Sequence, residues 1–262
     1  MTTRRDVIAG GLSAASLAVG AAPAAAQAAQ KTFVLVHGAW HGGWCWRRVA
    51  DLLEKRGHKV FAPTLTGLGE RCHLLDSKVD LAMHVTDIVN LIKWERLSDI
   101  VLVGHSYGGM VITGVAEQMQ PQIASIVFLD AYVPENGQSL FDIGPTTAIR
   151  DAARAALQKG EIATSPPPAA FFRVNEKDRG WVDAMCTPHP IATQTAKAAE
   201  TGARERIGKK AYVRATQYPN PNFDRFYAKY QLTPGWQTYA VESGHDVMID
   251  MPERLAAILL EA

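Results

Sequence analysis

The feature that most limits how this chain can fold is a serine between two glycines, placed after an apolar run and before a helix-length segment. The run at residues 99–103 is mostly β-branched, as is typical of a strand buried on both faces of a sheet, and residues 110–119 can form a helix. Gly104 and Gly108 permit a sharp turn that holds Ser106 in a strained conformation. The flanking strand and helix favour this interpretation over a chance match. We therefore predict Ser106 as a nucleophile.

Apolar runs and helix-length segments alternate along most of the chain. The predicted strands are residues 32–36, 59–62, 100–103, 125–129, 211–214 and 238–241, and the predicted helices between and after them include residues 49–56, 84–94, 110–119 and 252–260. Such alternation predicts a mainly parallel α/β sheet of about six strands with helices on both faces. Reactive groups should then gather at the carboxyl ends of the strands.

The alternation breaks at residues 134–208, a segment too long for a loop in a compact domain. It contains a run of three prolines and two predicted helical pieces, at residues 149–159 and 190–200. We expect this segment to be an inserted helical cap over the strand ends of a core formed by residues 31–133 and 209–262. A cap of this kind excludes water and shapes a substrate pocket.

Large side chains in the first loop and in the expected cap are candidates for the pocket wall. They are His41 and Trp44 in the loop, and Phe171, Phe172, Trp181 and Met185 in the cap. For the cap side chains, simple packing of the cap onto the core is an equally good interpretation.

Residues 1–26 have the pattern of an export signal. A pair of arginines, Arg4 and Arg5, precedes an apolar stretch of small residues and several Ala-x-Ala cleavage sites. The paired arginine resembles the twin-arginine type, while the general secretory route remains an alternative. The stretch is short and rich in glycine and alanine, which disfavours a retained membrane anchor. We expect cleavage near Ala26 and an exported, periplasmic or secreted protein.

The composition excludes several other classes of function. The formal net charge is +1 and the basic residues are scattered, so nothing indicates binding to nucleic acid or to an anionic membrane surface. Cys45, Cys72 and Cys186 are widely spaced, which predicts neither a disulfide framework nor a metal site. We expect no metal, no cofactor and no stable membrane association, and the sequence does not predict an oligomeric state.

A serine hydroxyl needs a base and donors for an oxyanion, and the sequence offers both. His245 follows the last predicted strand and precedes the last helix, so it can reach over Ser106, and we predict it as general base and then general acid. The backbone N–H of Tyr107, at the start of a helix, is one predicted donor. The N–H of Ala39, in the glycine-rich loop at residues 37–43, is the other. That loop lacks the lysine of a phosphate-binding loop.

Several motifs together resemble those of the α/β-hydrolase fold. They are HGAWHGGWCW at residues 37–46, APTLTG at 62–67, GHSYGG at 104–109 and GHD at 244–246. The chain is most similar to small esterases related to plant methylesterases and hydroxynitrile lyases, and to bacterial carboxylesterases of that group. The resemblance runs from about residue 31 to the C-terminus and implies hydrolysis of small to medium carboxylic esters through an acyl-enzyme on Ser106.

The resemblance leaves other activities open. In the related hydroxynitrile lyases a threonine follows the first-loop histidine and a lysine follows the catalytic histidine, whereas this chain has Gly38 and Asp246 there. A carboxylate beside a leaving cyanide is unfavourable, which favours hydrolysis over lyase activity. Cofactor-free haloperoxidase or lactonase activity would use the same serine site. A non-catalytic ligand-binding receptor is a further alternative, disfavoured by the complete set of serine, histidine and oxyanion donors.

The acid partner of His245 has more than one candidate. Esterases of this kind usually carry an aspartate after the next-to-last strand, but residues 212–217 contain no carboxylate. Some members of the fold place the acid one strand earlier, where Asp130 ends the predicted strand at 125–129. We predict Asp130. Asp224, a few residues beyond the empty position, and a dyad without an acid are the alternatives.

Overall fold

A parallel sheet forms the centre of the molecule. The computed structural model describes residues 29–144 and 147–262, and within them six strands pair in the order β2-β1-β3-β4-β7-β8, all parallel. These strands are β1 (Thr32–Val36), β2 (Lys59–Phe61), β3 (Ile100–His105), β4 (Ile123–Leu129), β7 (Lys209–Ala215) and β8 (Trp236–Val241). A separate antiparallel pair joins β5 (Ala163–Thr164) and β6 (His189–Pro190). The predicted sheet is confirmed, and the predicted export signal lies outside the described residues.

The central strands are apolar because both of their faces are covered. Every residue of β3 is buried, and all but one of β4 are buried, whereas the edge strand β8 has two exposed and two half-buried residues. Continuous burial explains why the central strands read as uninterrupted apolar runs in the sequence. Because the strands are parallel, the carboxyl ends of β3, β4 and β8 lie along one edge of the sheet, where the candidate site lies.

Helices flank the sheet. In the core they are α1 (Arg47–Glu54), α2 (Leu81–Trp94), α3 (Gly108–Met119), α8 (Pro221–Gln231), α9 (Val247–Asp250) and α10 (Pro252–Glu261). Helices α8 and α10 begin with proline, whose fixed φ suits the first helical position. In the described part of the chain, no helix combines the length and the apolar character needed to cross a bilayer.

The segment between the two parts of the core is irregular. It contains α4 (Leu140–Ile143), α5 (Thr147–Gln158), α6 (Glu176–Met185) and α7 (Ala192–Thr195) together with the β5–β6 pair. The predicted helix at residues 149–159 corresponds to α5. We retain the cap boundaries, residues 134–208, as a proposal.

The predicted helix at residues 190–200 is wrong, because only α7 is helical there. The following residues are extended: the N–H of Ala198 donates to Gln138 O at 2.9 Å, and the N–H of Gly137 donates to Ala198 O at 2.9 Å. A bridge between Ser139 and Lys197 continues this pairing. Pairing with a segment about 60 residues away therefore overrides the local preference for helix.

Contacts between this segment and the core fix the loops at the strand ends. The Arg48 guanidinium donates to both carboxylate oxygens of Asp178 in α6, at 2.9 and 2.7 Å. The indole N–H of Trp40 donates to Thr164 O at 3.1 Å, and the N–H of Thr187 donates to Trp40 O at 2.9 Å. Two parts of this segment thus hold Trp40, which lies in the loop after β1.

Candidate active site

Ser106 lies on the turn between β3 and α3 with φ at +53°. Such a value is uncommon for a residue with a side chain, and backbone hydrogen bonds hold it here. The N–H of Ser106 donates to Leu129 O at 3.2 Å, and its carbonyl accepts from the N–H groups of Gly109 and Tyr132 at 3.1 and 3.2 Å. The turn therefore presents the Ser106 side chain at the carboxyl end of the sheet.

The glycines on either side of Ser106 are required by close backbone contacts. A Cβ on Gly104 would lie 2.7 Å from Gly108 O, and a Cβ on Gly108 would lie 2.8 Å from the carbonyl oxygens of Val36 and His37. Because these neighbours are backbone atoms, they cannot move aside as a flexible side chain can. The glycines thus allow β1, β3 and α3 to meet at the turn.

His245 lies in the loop after β8 and is held through its backbone. Its N–H donates to Phe172 O at 2.8 Å, and its carbonyl accepts from His105 Nε2 at 3.1 Å. The imidazole stacks on Phe223 and Tyr218, with ring centroids 5.4 and 4.6 Å apart, and is buried. Few orientations remain open to this ring.

Asp130 is hydrogen-bonded to the predicted base. His245 Nδ1 lies 2.7 Å from Asp130 Oδ2, so Nδ1 carries the hydrogen and Nε2 is left to accept a proton. Asp130 follows β4, is fully buried and has φ at +41°. Its other oxygen, Oδ1, accepts from the N–H of Ala215 at 3.1 Å and from Arg214 Nη1 at 2.9 Å. Both carboxylate oxygens therefore have donors that fix the plane of the carboxylate.

Arg214 is a site residue that sequence reasoning missed. Beyond its bond to Asp130, it donates through Nε to Asp224 Oδ1 at 2.9 Å and through Nη2 to Tyr218 O at 2.7 Å. Asp224, the alternative acid, is exposed and bonds to Arg214, not to His245. The available signal was a basic residue that follows the apolar residues 211–213 near the end of a predicted strand, because a charged side chain buried there requires a counter-ion.

One cavity borders both the predicted nucleophile and the predicted base. Ser106 and His245 both line it, and no hydrogen bond connects their side chains among the described residues. In free enzymes such bonds are often long and tighten only when substrate binds. The remaining wall is mainly aromatic and aliphatic, with Trp40, Tyr132, Leu140, Ile149, Phe172 and Phe223 and the polar Gln194 and Asn220. A mainly apolar wall with a few polar groups is typical of sites for small organic molecules.

The predicted pocket residues have different environments. Phe172 lines the cavity beside Ser106, and Phe171 lines a neighbouring apolar cavity. His41 and Trp44 line neither; their rings stack on each other 5.2 Å apart, and Trp44 meets Trp181 edge to face at 5.1 Å. The Trp44 and Trp181 rings therefore pack α6 against the core.

The two predicted oxyanion donors face the same cavity. Ala39 and Tyr107 both line it, and in residues 29–144 and 147–262 no protein acceptor bonds the N–H of either. Tyr107 stands at the N-terminus of α3, where free N–H groups favour negative charge. The pair can therefore bind an anionic oxygen.

His37 orients the peptide that carries the Ala39 N–H. The N–H of Leu65 donates to His37 Nε2 at 3.0 Å, so the hydrogen of this ring sits on Nδ1 and points to Gly38 O at 2.8 Å. Burial lowers the pKa of His37 to about 3, which keeps the ring neutral. Gly38 O and the Ala39 N–H belong to one peptide group, so a bond at its oxygen polarises its N–H.

Asp246 does not face the cavity, contrary to the expectation of a carboxylate beside the leaving group. Its side chain is fully buried and bonds to His41. The difference from the lyases at this position is therefore the absence of a lysine ammonium, not the presence of a negative charge at the reacting atoms.

Comparisons with known proteins agree with this architecture. A family model described as the alpha/beta hydrolase family matches residues 33–258. The chain is 44% identical over 233 residues to the carbendazim hydrolyzing esterase of Nocardioides sp. (strain SG-4G). The match covers 86% of this chain and 96% of that protein. It is 29% identical to salicylic acid-binding protein 2 of Nicotiana tabacum, over 88% of this chain and 96% of that protein.

A solved structure extends the comparison to three dimensions. An extracellular alpha/beta-hydrolase from a Paenibacillus species, described as sharing structural and functional homology with the tobacco protein, has a TM-score of 0.78 at 25% identity. The match covers 88% of this chain and 98% of that chain. The predicted fold and family resemblance are confirmed: this chain belongs to the alpha/beta hydrolase family, within which it is an ester hydrolase.

Proposed function

We propose that this protein is a serine esterase that cleaves small to medium carboxylic esters through an acyl-enzyme on Ser106. The observation that carries the proposal is the 2.7 Å bond from His245 Nδ1 to Asp130 beside the cavity that Ser106 lines. Base, acid and nucleophile come from the ends of β8, β4 and β3. The named esterase among the relatives supports the reaction class.

In the acylation half of the reaction, His245 Nε2 takes the proton of Ser106 Oγ while Oγ attacks the ester carbonyl. The carbonyl oxygen becomes an anion, which the N–H groups of Ala39 and Tyr107 stabilise. His245 then gives its proton to the leaving alcohol, and the acyl group stays on Ser106. Asp130 stabilises the His245 imidazolium that forms between these steps.

In the second half, His245 takes a proton from water, which attacks the acyl carbonyl and forms the same type of oxyanion. Collapse returns the proton to Ser106 Oγ and releases the carboxylic acid. Both halves use the same donors, so loss of one donor slows both.

The cavity wall supports an apolar substrate. Trp40, Phe172 and Phe223 surround the space next to Ser106, and in the part of the chain that the structure describes no lysine or arginine lines it. An ester whose acyl and alcohol parts are both uncharged fits such a wall, because an unpaired charge there would lose its hydration.

Two measurements test the proposal. An organophosphonate should label the mature protein with one equivalent at Ser106, and Ser106→Ala should abolish both labelling and hydrolysis of p-nitrophenyl butyrate. A ligand-binding receptor without an activated serine would remain unlabelled. Cyanide release from a cyanohydrin that is faster than ester turnover would overturn the proposal in favour of a lyase.

We also propose that residues 1–26 serve as an export signal. The paired Arg4 and Arg5, the apolar stretch and the Ala-x-Ala sites support it. N-terminal sequencing of protein secreted by a bacterial host should find a start close after Ala26. Replacing both arginines by lysine should block export if the twin-arginine route is used, and leave it intact on the general route.

A further inference from the structure

A second buried histidine–carboxylate pair lies next to the proposed site. His41 Nε2 is 3.0 Å from Asp246 Oδ2, and both side chains are almost completely buried. Neither side chain lines the cavity beside Ser106 and His245, called the catalytic cavity below, and neither takes part in the proton transfers described above.

The hydrogen-bond partners of His41 define its charge. Its Nδ1 lies 2.8 Å from Ala39 O, which can only accept, and its Nε2 faces a carboxylate. Two acceptors require hydrogens on both ring nitrogens. Burial opposes the charged ring, but attraction to Asp246 outweighs it, so the pKa of His41 lies above its ordinary value. Burial likewise opposes the Asp246 carboxylate, yet the neighbouring His41 lowers its pKa to about 2.

The two ends of this ion pair adjoin different parts of the site. The imidazolium end is bonded to the carbonyl oxygen of Ala39, the residue whose N–H is a proposed oxyanion donor. The carboxylate end belongs to the residue after His245. Asp246 Oδ1 is also 3.8 Å from His105 Nε2, and the His105 ring is 4.4 Å from the His245 ring, centroid to centroid. The positive end thus lies at the loop of residues 37–43 that carries Ala39, the oxyanion loop. The negative end lies at the loop after β8 that carries His245, the base loop.

This arrangement matches the charge that the reaction creates. When Ser106 attacks, a negative charge develops at the N–H groups of Ala39 and Tyr107, and a positive charge develops on His245. A fixed pair with the opposite polarity stabilises both charges, and burial keeps the interaction from being screened.

The second oxygen of the Asp246 carboxylate lies outside the pair. Asp246 Oδ1 is buried without a hydrogen-bond partner in the described residues, and so is His105 Nδ1 beside it. A buried acceptor without a donor lowers stability. What separates this pair from the buried pair of Glu200 and Arg204 is its position, because Asp246 Oδ1 faces His105 beside the base.

We propose that His41 and Asp246 are positioning residues of the esterase: a buried ion pair that ties the oxyanion loop to the base loop and stabilises the charge separation of the transition state. The proposal rests on the proposed function of Ser106. It assigns to this pair a role in kcat, with little role in substrate binding.

The test replaces the charge and keeps the shape. Asp246→Asn can still donate to a neutral His41, so we expect kcat for p-nitrophenyl butyrate to fall roughly 10- to 100-fold with KM within about threefold. His41→Gln should act in the same way. The double variant should be no slower than the slower single variant, because residues that act as one unit are not additive. The rate of organophosphonate labelling should fall in parallel.

Glu200→Gln provides the matched control. Glu200 forms a buried ion pair with Arg204 at 3.5 Å and also has an unpartnered oxygen, but it does not line the catalytic cavity. The Glu200→Gln variant should change the urea midpoint of unfolding without changing kcat.

Three outcomes are decisive. Wild-type kcat in a folded Asp246→Asn protein would overturn the inference, as would a loss that disappears on cooling in step with restored folding. His41→Gln decides the matter if Asp246→Asn does not fold. Failure of the wild type itself to be labelled at Ser106 would instead overturn the proposed function.

Discussion

The carboxylate of Asp130 connects two strands that are far apart in the sequence. One oxygen bonds to His245, and the other bonds to Arg214 and to the backbone of Ala215. The sequence favoured Asp130 over Asp224 because residues 212–217 contain no carboxylate and some members of the resembled fold place the acid one strand earlier. Arg214 could not be predicted, because its role depends on which strand lies next to β4, and that neighbour is β7, about 80 residues later.

Asp130→Asn should lower kcat by roughly three to four orders of magnitude, because an amide can hold the wrong tautomer of His245. Asp224→Asn should change kcat little, since Asp224 is exposed and Arg214 keeps its other acceptors. Steady-state kinetics on p-nitrophenyl butyrate provide the measurement. A large effect at Asp224 with a small one at Asp130 would show that the acid is wrongly assigned.

Arg214→Lys should lower both activity and stability. A guanidinium donates to Asp130, Asp224 and Tyr218 from one plane, which a single ammonium cannot do. We expect a loss of about 1–3 kcal/mol in unfolding free energy for the donors left out, with kcat reduced roughly tenfold. Urea titration and kinetics separate the two effects. An unchanged kcat would mean that Ala215 alone orients Asp130.

Among the helices and strands, those with a strong local pattern were predicted and those that depend on distant pairing were not. The six core strands and the helix after Ser106 follow from apolar periodicity, since burial dictates both. Residues 190–200 looked helical, but their pairing with residues 137–139 is invisible to a local pattern. His41 and Asp246 were likewise missed as a pair, because they are 205 positions apart.

The turn that carries Ser106 offers a test of packing between elements. Gly108→Ala should lower the free energy of unfolding by about 1–3 kcal/mol and reduce labelling of Ser106, because the new Cβ would lie 2.8 Å from backbone oxygens of Val36 and His37. Gly180→Ala is the matched control. Gly180 lies inside α6 with open space around it, so alanine should stabilise the protein by about 0.5–1 kcal/mol. Equal effects of the two changes would contradict this packing argument.

Buried histidines make the stability of the whole molecule depend on pH. His37, His84, His105 and His189 are buried, and burial lowers the pKa of each below its ordinary value. These rings stay neutral in the folded protein at a pH where the unfolded chain binds protons. The contribution of these four rings is therefore complete above about pH 6.5 and decreases as the pH falls below it, by up to about 1.4 kcal/mol per pH unit for each ring. Above about pH 6.5 His41 acts in the opposite sense, because its pKa is raised and its contribution is lost as the pH rises through that pKa.

Other groups modify this dependence within the same range. Burial raises the pKa of Asp250 to about 6 and also raises the pKa of Glu200, so both bind protons more readily in the folded protein. Their contribution opposes that of the histidines below their own pKa values. Since the lowered histidines outnumber them, the net slope between about pH 4 and 6 retains the sign set by the histidines.

Urea midpoints of the protein should accordingly fall steeply below about pH 6. His84→Gln removes one titrating ring, which bonds to Tyr107 and to the backbone of Thr66. This variant should be less stable at pH 8 but should lose stability less steeply with acid, by about 1.4 kcal/mol per pH unit at most. The slope is independent of the absolute loss, so it separates titration from packing. A midpoint that stays level down to pH 5, or a variant slope equal to that of the wild type, would show that these rings are protonated in the folded protein.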